Sequence, residues 1–510
     1  MRLFKTIAGL RCELERHRQN QTIGLVPTMG ALHAGHLSLI ERAVSENDVV
    51  VVSIFVNPLQ FAPTEDLQQY PRQLDRDCQL CEQLGVNVIF APSVEELYKR
   101  QPTTQVIPPA AMTSVLCGPF RPGHFPGVAT VVTKLLNIVQ PTTAYFGEKD
   151  AQQLAIIRLL VEDLNLPVEI RACPIVREAS GLAYSSRNQY LTGEEKEQAL
   201  SLSRSLEQVQ KAFQQGDRDR SRLIEIVKQE LALVPEVKIE YVELGHPQTL
   251  TPLEKIERAG LLAIACYIGS TRLIDNVILR LPRQLIIAID GPAGAGKSTV
   301  TRRIAAALGL LYLDTGAMYR ALTWLAMRSG IGVEDEAAIA ELVSGAVLEL
   351  IPPDSPHSPI RVQINGEDVT EAIRTPQVTA NVSTIAAQAA VRRELVKQQQ
   401  RWGKKGGIVA EGRDIGTNVF LDAELKIFLT ASVQERARRR LKDLKNQGQE
   451  EVNLEQLEGE IQQRDYQDSN RKIAPLKKAV DAIEVNTDGL SIEEVMNRII
   501  SLYQQKISVS

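Results

Sequence analysis

At 510 residues, 44% hydrophobic and 24% charged, the chain exceeds one ordinary core and has the composition of a soluble globular protein of about three or four domains. Lys and Arg number 58 against 62 Asp and Glu, a net charge of -4, so no basic excess marks nucleic acid as the main partner and small anions must be held by local clusters. The amino terminus lacks an apolar signal core, no stretch offers about 18 uncharged apolar residues, and the six cysteines at 12, 78, 81, 117, 173 and 266 make no disulfide framework, so a cytoplasmic protein is expected.

In chain order, residues 21–29 are predicted as a buried strand that runs into the glycine-punctuated turn 30–36 and then the helical LSLIERAVSEND. His33 and His36 fall at the loop-to-helix junction with Gly35 between them. Two imidazoles there can donate to phosphate oxygens where a helix N-terminus already favours anions; a metal pair or an ordinary cap fits the same residues. A second strand, DVVVVSIFVN, delivers Asn57 and Gln60 to a strand's carboxyl end, where open α/β sheets place their ligands. Next come a helix over 66–85, whose Cys78 and Cys81 read as packing or surface thiols, and the strand VNVIFAP. A Gly/Pro-rich loop over 117–127 precedes the helix GVATVVTKLLNIVQP, the strand AYFG and the polar run Glu148-Lys149-Asp150-Ala151-Gln152-Gln153. EIRACPIVRE is a further strand, and 180–188 a polar loop before a charged helix. Such alternation of strand and helix means a parallel, doubly wound sheet.

PTMGALHAGH, NPLQF, GHFPGVATVVTKL, FGEKDAQQ, GLAYSSRN and GSTRLIDN, in that order, resemble the pantothenate synthetase (pantoate:beta-alanine ligase) family over residues 1 to about 276. The resemblance implies a Rossmann-like nucleotidyltransferase domain over 1–187 and a small closing domain over 188–276 that also supplies a homodimer contact. It implies that pantoate attacks the α-phosphorus of ATP, and that β-alanine then attacks the resulting pantoyl adenylate. By position His33 and His36 hold the phosphates, while Lys149, Ser185, Ser186 and Arg187 steady the charge on departing pyrophosphate. Gly147, Asp150 and Val176 fall where the family binds ATP; Gln60 and Gln153 fall where it holds pantoate, with Met29 and Asn57 nearby. Two residues depart from the family pattern: Ser180 where Asp is common and Tyr184 where Met is frequent. A first half that binds nucleotide without catalysis is the alternative. An RNA-charging enzyme is a further one, opposed by the near-neutral charge and the lack of an anticodon-binding domain.

After a short linker at 277–284, residues 285–289 form an apolar β-branched run, and Gly291-x-x-x-x-Gly296-Lys297-Ser298 opens an Ala-rich helix. Strand, loop and helix make a phosphate site. Gly291, Gly294 and Gly296 let backbone N–H groups curl around phosphate oxygens, Lys297 reaches the β- and γ-phosphates, and Ser298, beside Thr299, holds Mg²⁺. Asp314-Thr315-Gly316 sits at a strand end with Arg320 a helical turn further on, Asn365-Gly366 signals a hairpin, and Ser383 and Arg392 share a helical stretch. Gly412-Arg413-Asp414 ends another buried strand, Arg436, Arg438, Arg439 and Arg440 crowd one helix, and Arg464, Asp468 and Arg471 recur in QRDYQDSNRKIAPL.

DGPAGAGKST, LDTGAMYRA, NVS, EGRDIGT, KIFLTAS and NRKIAPL together resemble bacterial-type cytidylate kinase over about 285 to 506. That implies a P-loop nucleoside monophosphate kinase domain at 285–510, with a parallel sheet and a small β-insert. Its reaction is in-line transfer of the γ-phosphoryl of ATP to CMP or dCMP. Thr315, Arg320, Ser383, Arg392, Arg464 and Asp468 fall where the family binds the nucleoside monophosphate. Lys297, Arg413 and Arg471, with lid arginines at 436 to 440, surround the transferring phosphoryl.

Overall fold

The computed structural model describes residues 1–62, 67–99, 104–281, 283–351, 360–446, 453–471 and 473–509. It contains two compact units, Met1–Leu281 and Pro282–Ser510. Among the described residues no helix is long and apolar enough to cross a membrane.

The first unit is built on six parallel strands: β1 (Arg2–Phe4), β2 (Ile23–Thr28), β3 (Val49–Ile54), β4 (Val88–Phe90), β5 (Thr143–Gly147) and β6 (Glu169–Cys173). They lie in the order β1-β4-β3-β2-β5-β6. The run VVVVSI of β3 is buried nearly throughout, as a strand must be when helices cover both faces of a parallel sheet. From β2 the chain winds outward to β3 and β4, then returns to β5 on the other side. The strand direction of travel therefore switches between β2 and β5, where such sheets open a crevice at their carboxyl ends.

After this sheet in the chain come the helices Gly193–Gln214 and Arg220–Ala232, packed on the antiparallel strands β7 (Val237–Gly245), β8 (Ala259–Ile268) and β9 (Thr271–Arg280). The first helix starts with a capping box, Thr192 accepting from the Glu195 N–H and Glu195 accepting in return. Leu202, Leu206, Leu223, Leu262 and Ile264 fill the core between helices and sheet.

The second unit holds a five-stranded parallel sheet: β10 (Gln284–Asp290), β11 (Leu311–Asp314), β15 (Gly406–Gly412), β16 (Leu425–Thr430) and β17 (Ile483–Asn486), in the order β11-β15-β10-β16-β17. The insert between β11 and β15 is the small antiparallel sheet β12 (Leu348–Ile351), β13 (Arg361–Ile364) and β14 (Glu367–Asp368). Asn365 (φ 52) and Gly366 (φ 80) make its hairpin turn, the left-handed pair that the Asn-Gly sequence is suited to supply.

Three local expectations differ from what forms. The helix read over 66–85 starts at Leu74, because Pro71 lacks an N–H and pushes Tyr70 out of the helical region; residue 66 lies outside the described residues. β6 stops at Cys173, directly before Pro174. The linker read at 277–284 is mostly strand: β9 runs through Arg280 and β10 begins at Gln284. Leu281 N–H donates to the Arg258 carbonyl, and the Arg283 guanidinium bonds Asp422 and Glu424. Cys81 of the Leu74–Gln83 helix packs with Val50, Val52 and Ile89, and burial pushes its thiol up to about 12.

Candidate active sites

In the first unit β2 ends at Thr28, the chain turns through Met29 and Gly30, and the helix Ala34–Glu46 begins with His33 as its cap. The cap side chain makes no hydrogen bond to the helix, so no side chain caps its first turn and both imidazoles stay available to an anion. The rings of His33 and His36 stack with centroids 4.0 Å apart. Burial, then the Lys149 charge, lowers His33 to about 4; burial, then His33 and Lys149, lowers His36 to about 3. Both imidazoles are therefore neutral near pH 7, each with one N–H to donate. The Nδ1 atoms of both are buried with no hydrogen-bond partner, an arrangement that calls for a ligand.

Asp77, only 1% exposed, fixes this loop. Its carboxylate accepts the N–H groups of Ala31 and Leu32 at 2.9 Å each. Nothing in the local sequence marks Asp77, since its partners lie more than forty residues upstream.

Across the switch point, β5 ends in Glu148–Asp150. A cleft gathers Lys149, Asp150, Gln153, Ser185 and Arg187, with Arg121 and His124 from the loop-helix and Asp275 and Asn276 from β9. Asn276 donates to the carbonyls of Glu148 and Lys149 at 3.0 and 2.9 Å, which sets the Lys149 backbone. Asp275 takes both Arg177 nitrogens, at 2.6 and 3.0 Å, and Arg177 also holds the Gly181 carbonyl. The closing GSTRLIDN segment is thus a brace for the turn that carries Lys149 and for the stretch that leads to Ser185. Gln152, next to the expected Gln153, is spent on structure: it accepts from Cys117 N–H and donates to the Met112 and Val115 carbonyls.

Asn57 is likewise a bracket. Buried, it donates to the Gln60 side-chain oxygen and the Gly127 carbonyl and accepts from Tyr98. Among the described residues that leaves the Gln60 amide N–H₂ without a hydrogen-bond partner. His124 Nδ1 donates to the Gln60 carbonyl at 2.8 Å, so its Nε2 is the acceptor for Arg121 at 3.0 Å. Met29 is half-buried, Ser185 caps the turn that carries Arg187, and Ser186 donates to the Tyr70 hydroxyl at 3.4 Å. Gly147 closes β5, and the Val176 carbonyl accepts the Tyr184 N–H at 3.0 Å. Of the two departures from the family pattern, Ser180 is exposed on a turn, whereas the Tyr184 ring stacks parallel to His33 at 6.1 Å.

In the second unit the loop after β10 takes positive φ at Gly291 (150), Gly294 (79) and Gly296 (86) before the helix Lys297–Leu308. A Cβ on Gly291 would fall on the Leu429 carbonyl, so glycine is required there. Lys297 is 6% exposed and curls back to donate to the Gly291 and Pro292 carbonyls at 2.7 Å. Ser298 Oγ donates to Glu411 at 2.9 Å, and Glu411 also receives the Tyr312 hydroxyl. Glu411, 4% exposed and lifted by burial, joins no ion pair among the described residues. Thr299 is exposed beside Ser298. Asp290, raised to about 6 chiefly by burial, accepts the Ile415 and Gly416 N–H groups and so ties the phosphate-loop strand to the EGRDIGT loop.

Arginines and carboxylates interlock around this point. Asp314 caps the next helix and holds Arg320 at 3.3 Å. Arg392, 3% exposed, bonds Asp414 and lies over the Tyr319 ring at 5.5 Å. Arg471 stands 3.5 Å from Asp414, and Arg413 holds Asp468 at 2.9 Å. Arg464 has a buried Nε without a partner, and burial beside Arg413 holds its guanidinium below the usual range. Five arginines thus meet Asp314, Asp414 and Asp468, while Asp290 and Glu411 face Lys297, so six cations stand against five carboxylates. An anion supplies what the protein lacks here. The Thr315 hydroxyl is committed to the Glu411 carbonyl at 2.6 Å, and Ser383 is exposed on the helix Pro376–Ala387. Arg436 and Arg439, read as lid residues, are tied down: Arg436 to Asp465 and the Ala293 carbonyl, Arg439 to Thr487. Arg438 and Arg440 are exposed.

Comparison with known proteins agrees with two sites of different kinds. The pantoate-beta-alanine ligase family model matches residues 2–278, and the cytidylate kinase model matches 287–505. The bifunctional pantoate ligase/cytidylate kinase of Trichormus variabilis is 62% identical with 100% of both chains covered. That of Synechocystis sp. is 60% identical, with 99% of each chain covered. The pantothenate synthetase structure from Thermus thermophilus shares 45% identity and a TM-score of 0.53, covering 55% of this chain and 100% of its own. On this agreement over its whole length, the chain belongs to the family of bifunctional pantoate ligase/cytidylate kinases.

Proposed function

We propose that the first unit condenses pantoate with β-alanine through a pantoyl adenylate, releasing AMP and pyrophosphate. The observation that carries this reading is the pair of buried, unpartnered imidazole nitrogens at a helix N-terminus, within electrostatic reach of Lys149. The neutral rings donate to phosphate oxygens, Lys149 and Arg187 offset the charge that grows on the leaving pyrophosphate, and the amides of Gln60 and Gln153 orient the hydroxy acid. No protein nucleophile is needed, because the pantoate carboxylate itself attacks the α-phosphorus. Rate comes from position and charge. Purified full-length chain given ATP and labelled pyrophosphate is expected to exchange label into ATP when pantoate alone is present. Exchange that requires β-alanine would contradict an adenylate formed first.

The second unit transfers the γ-phosphoryl of ATP to CMP or dCMP. The acceptor phosphate is already an anion, so no general base is required. Lys297 swings from its own loop carbonyls to the β- and γ-phosphates, and Arg320, Arg392, Arg413 and Arg471 draw the two phosphates together by cancelling charge. Ser298 Oγ beside the Glu411 carboxylate offers the hard oxygen donors that suit Mg²⁺. When bound, that ion would neutralise charge on the bridging phosphates. Glu411→Gln is therefore expected to raise the Mg²⁺ concentration for half-maximal kinase rate about tenfold, with AMP formation unchanged. An unaltered Mg²⁺ dependence would remove Glu411 from this role. Both reactions draw on cytoplasmic ATP, and the homodimer expected through the first unit rests on the family resemblance.

A further inference from the structure

We propose that Tyr184 is a positioning residue of the ligase site, its ring holding His33 in register and coupling the histidine loop to the loop that carries Ser185, Ser186 and Arg187. The inference rests on the ligase reading above and adds a residue to it. His33 occupies a cap position, yet its side chain makes no hydrogen bond to the helix, and its buried Nδ1 has no partner. The ring instead has two aromatic neighbours stacked with it, His36 at 4.0 Å and 30° and Tyr184, near-parallel, at 6.1 Å and 16°. Gly35 opens the slot: a Cβ there would stand 3.1 Å from the His33 ring and 3.7 Å from the Tyr184 Cβ.

Tyr184 is itself anchored by the second loop. Its N–H donates to the Val176 carbonyl at 3.0 Å, and the carbonyl of Ala183 before it accepts from Asn188 at 3.0 Å. A turn of the His33 ring therefore meets either the half-buried His36 or Tyr184, a residue fixed beside Arg187. Phosphates bound by His33 and charge met by Arg187 are thus kept in one geometry by a ring-on-ring contact. The contact needs the face of the side chain and not its hydroxyl.

The test uses the full-length chain as wild type, Tyr184→Phe and Tyr184→Ala, assayed for pantoate-dependent pyrophosphate exchange, with CMP kinase rate as the control for folding. Tyr184→Ala is expected to lower kcat/KM for ATP about tenfold with the KM for pantoate unchanged, while Tyr184→Phe stays within about twofold. Wild-type exchange in the alanine variant would overturn the proposal. So would a phenylalanine variant as impaired as the alanine one, or an alanine variant impaired equally toward ATP and pantoate. With only six histidines in the chain, a histidine-labelled NMR spectrum reads the stack independently of activity. The His33 ring protons should move downfield in Tyr184→Ala as the phenol ring current is lost, and unmoved resonances would contradict the stack. If wild type shows no exchange, the ligase reading falls, and that spectrum alone decides whether Tyr184 orients His33.

Discussion

His36→Ala in the full-length chain should lower AMP formation by a factor of about 10² to 10³, the effect of removing one preorganised donor to developing phosphate charge. CMP-dependent ADP formation should stay within about twofold, because the cytidylate kinase family model matches residues 287–505 and His36 lies in the other unit. The histidine acts as a neutral donor, which gives the prediction a second edge. Burial holds His36 at about 3 and His33 at about 4, against 6.5 for a free imidazole. The unfolded chain therefore takes up protons that the folded one refuses. Stability from this pair is fully present above pH 6.5 and is lost as pH falls toward the folded values. In wild type the first unit should lose thermal stability between pH 6.5 and 4, and His36→Ala should flatten that slope. A variant with full AMP formation would show that the imidazole does not meet the phosphates.

Lys297→Ala is expected to lower CMP phosphorylation about 10³-fold with the ligase reaction intact. Its effect on stability should be small or favourable. Lys297 is buried, and burial together with the Arg413 charge drives its ammonium well below the ordinary range. An ion in that position is held against its preference until phosphate arrives. Melting the two variants side by side separates the cases: a second unit that melts as in wild type but cannot phosphorylate CMP fits a catalytic lysine. A second unit that unfolds would assign Lys297 a structural role instead.

Much of this was legible in the chain. Lys149 was singled out by the family resemblance, while strand-loop-helix punctuation put His33, His36 and the phosphate loop where strands end, because that signal is local. The Asn365-Gly366 hairpin was legible for the same reason. What escaped were residues whose partners are distant in sequence. Asp77 supports a loop some 45 residues earlier, Asn276 reaches back to Lys149, and Glu411 pairs with Ser298 across 113 residues. Each is an ordinary polar residue in its own neighbourhood, and only the fold brings it to its site. The amide of Asn57 shows the converse: residue type and strand-end position suited ligand reading, yet its hydrogen bonds are taken by the protein itself. The arginine-rich helix at 436–440 divides in the same way, two side chains tied down and two in solvent.

The central claim, two working active sites in one chain, is tested most directly by the nucleotides that the purified full-length protein makes from ATP. With pantoate and β-alanine together it should form AMP in step with pantothenate, and with neither acid or β-alanine alone it should not. With CMP it should form ADP and CDP. ADP with CMP but no AMP under any combination of acids would leave a kinase joined to a silent nucleotide-binding unit and contradict the account.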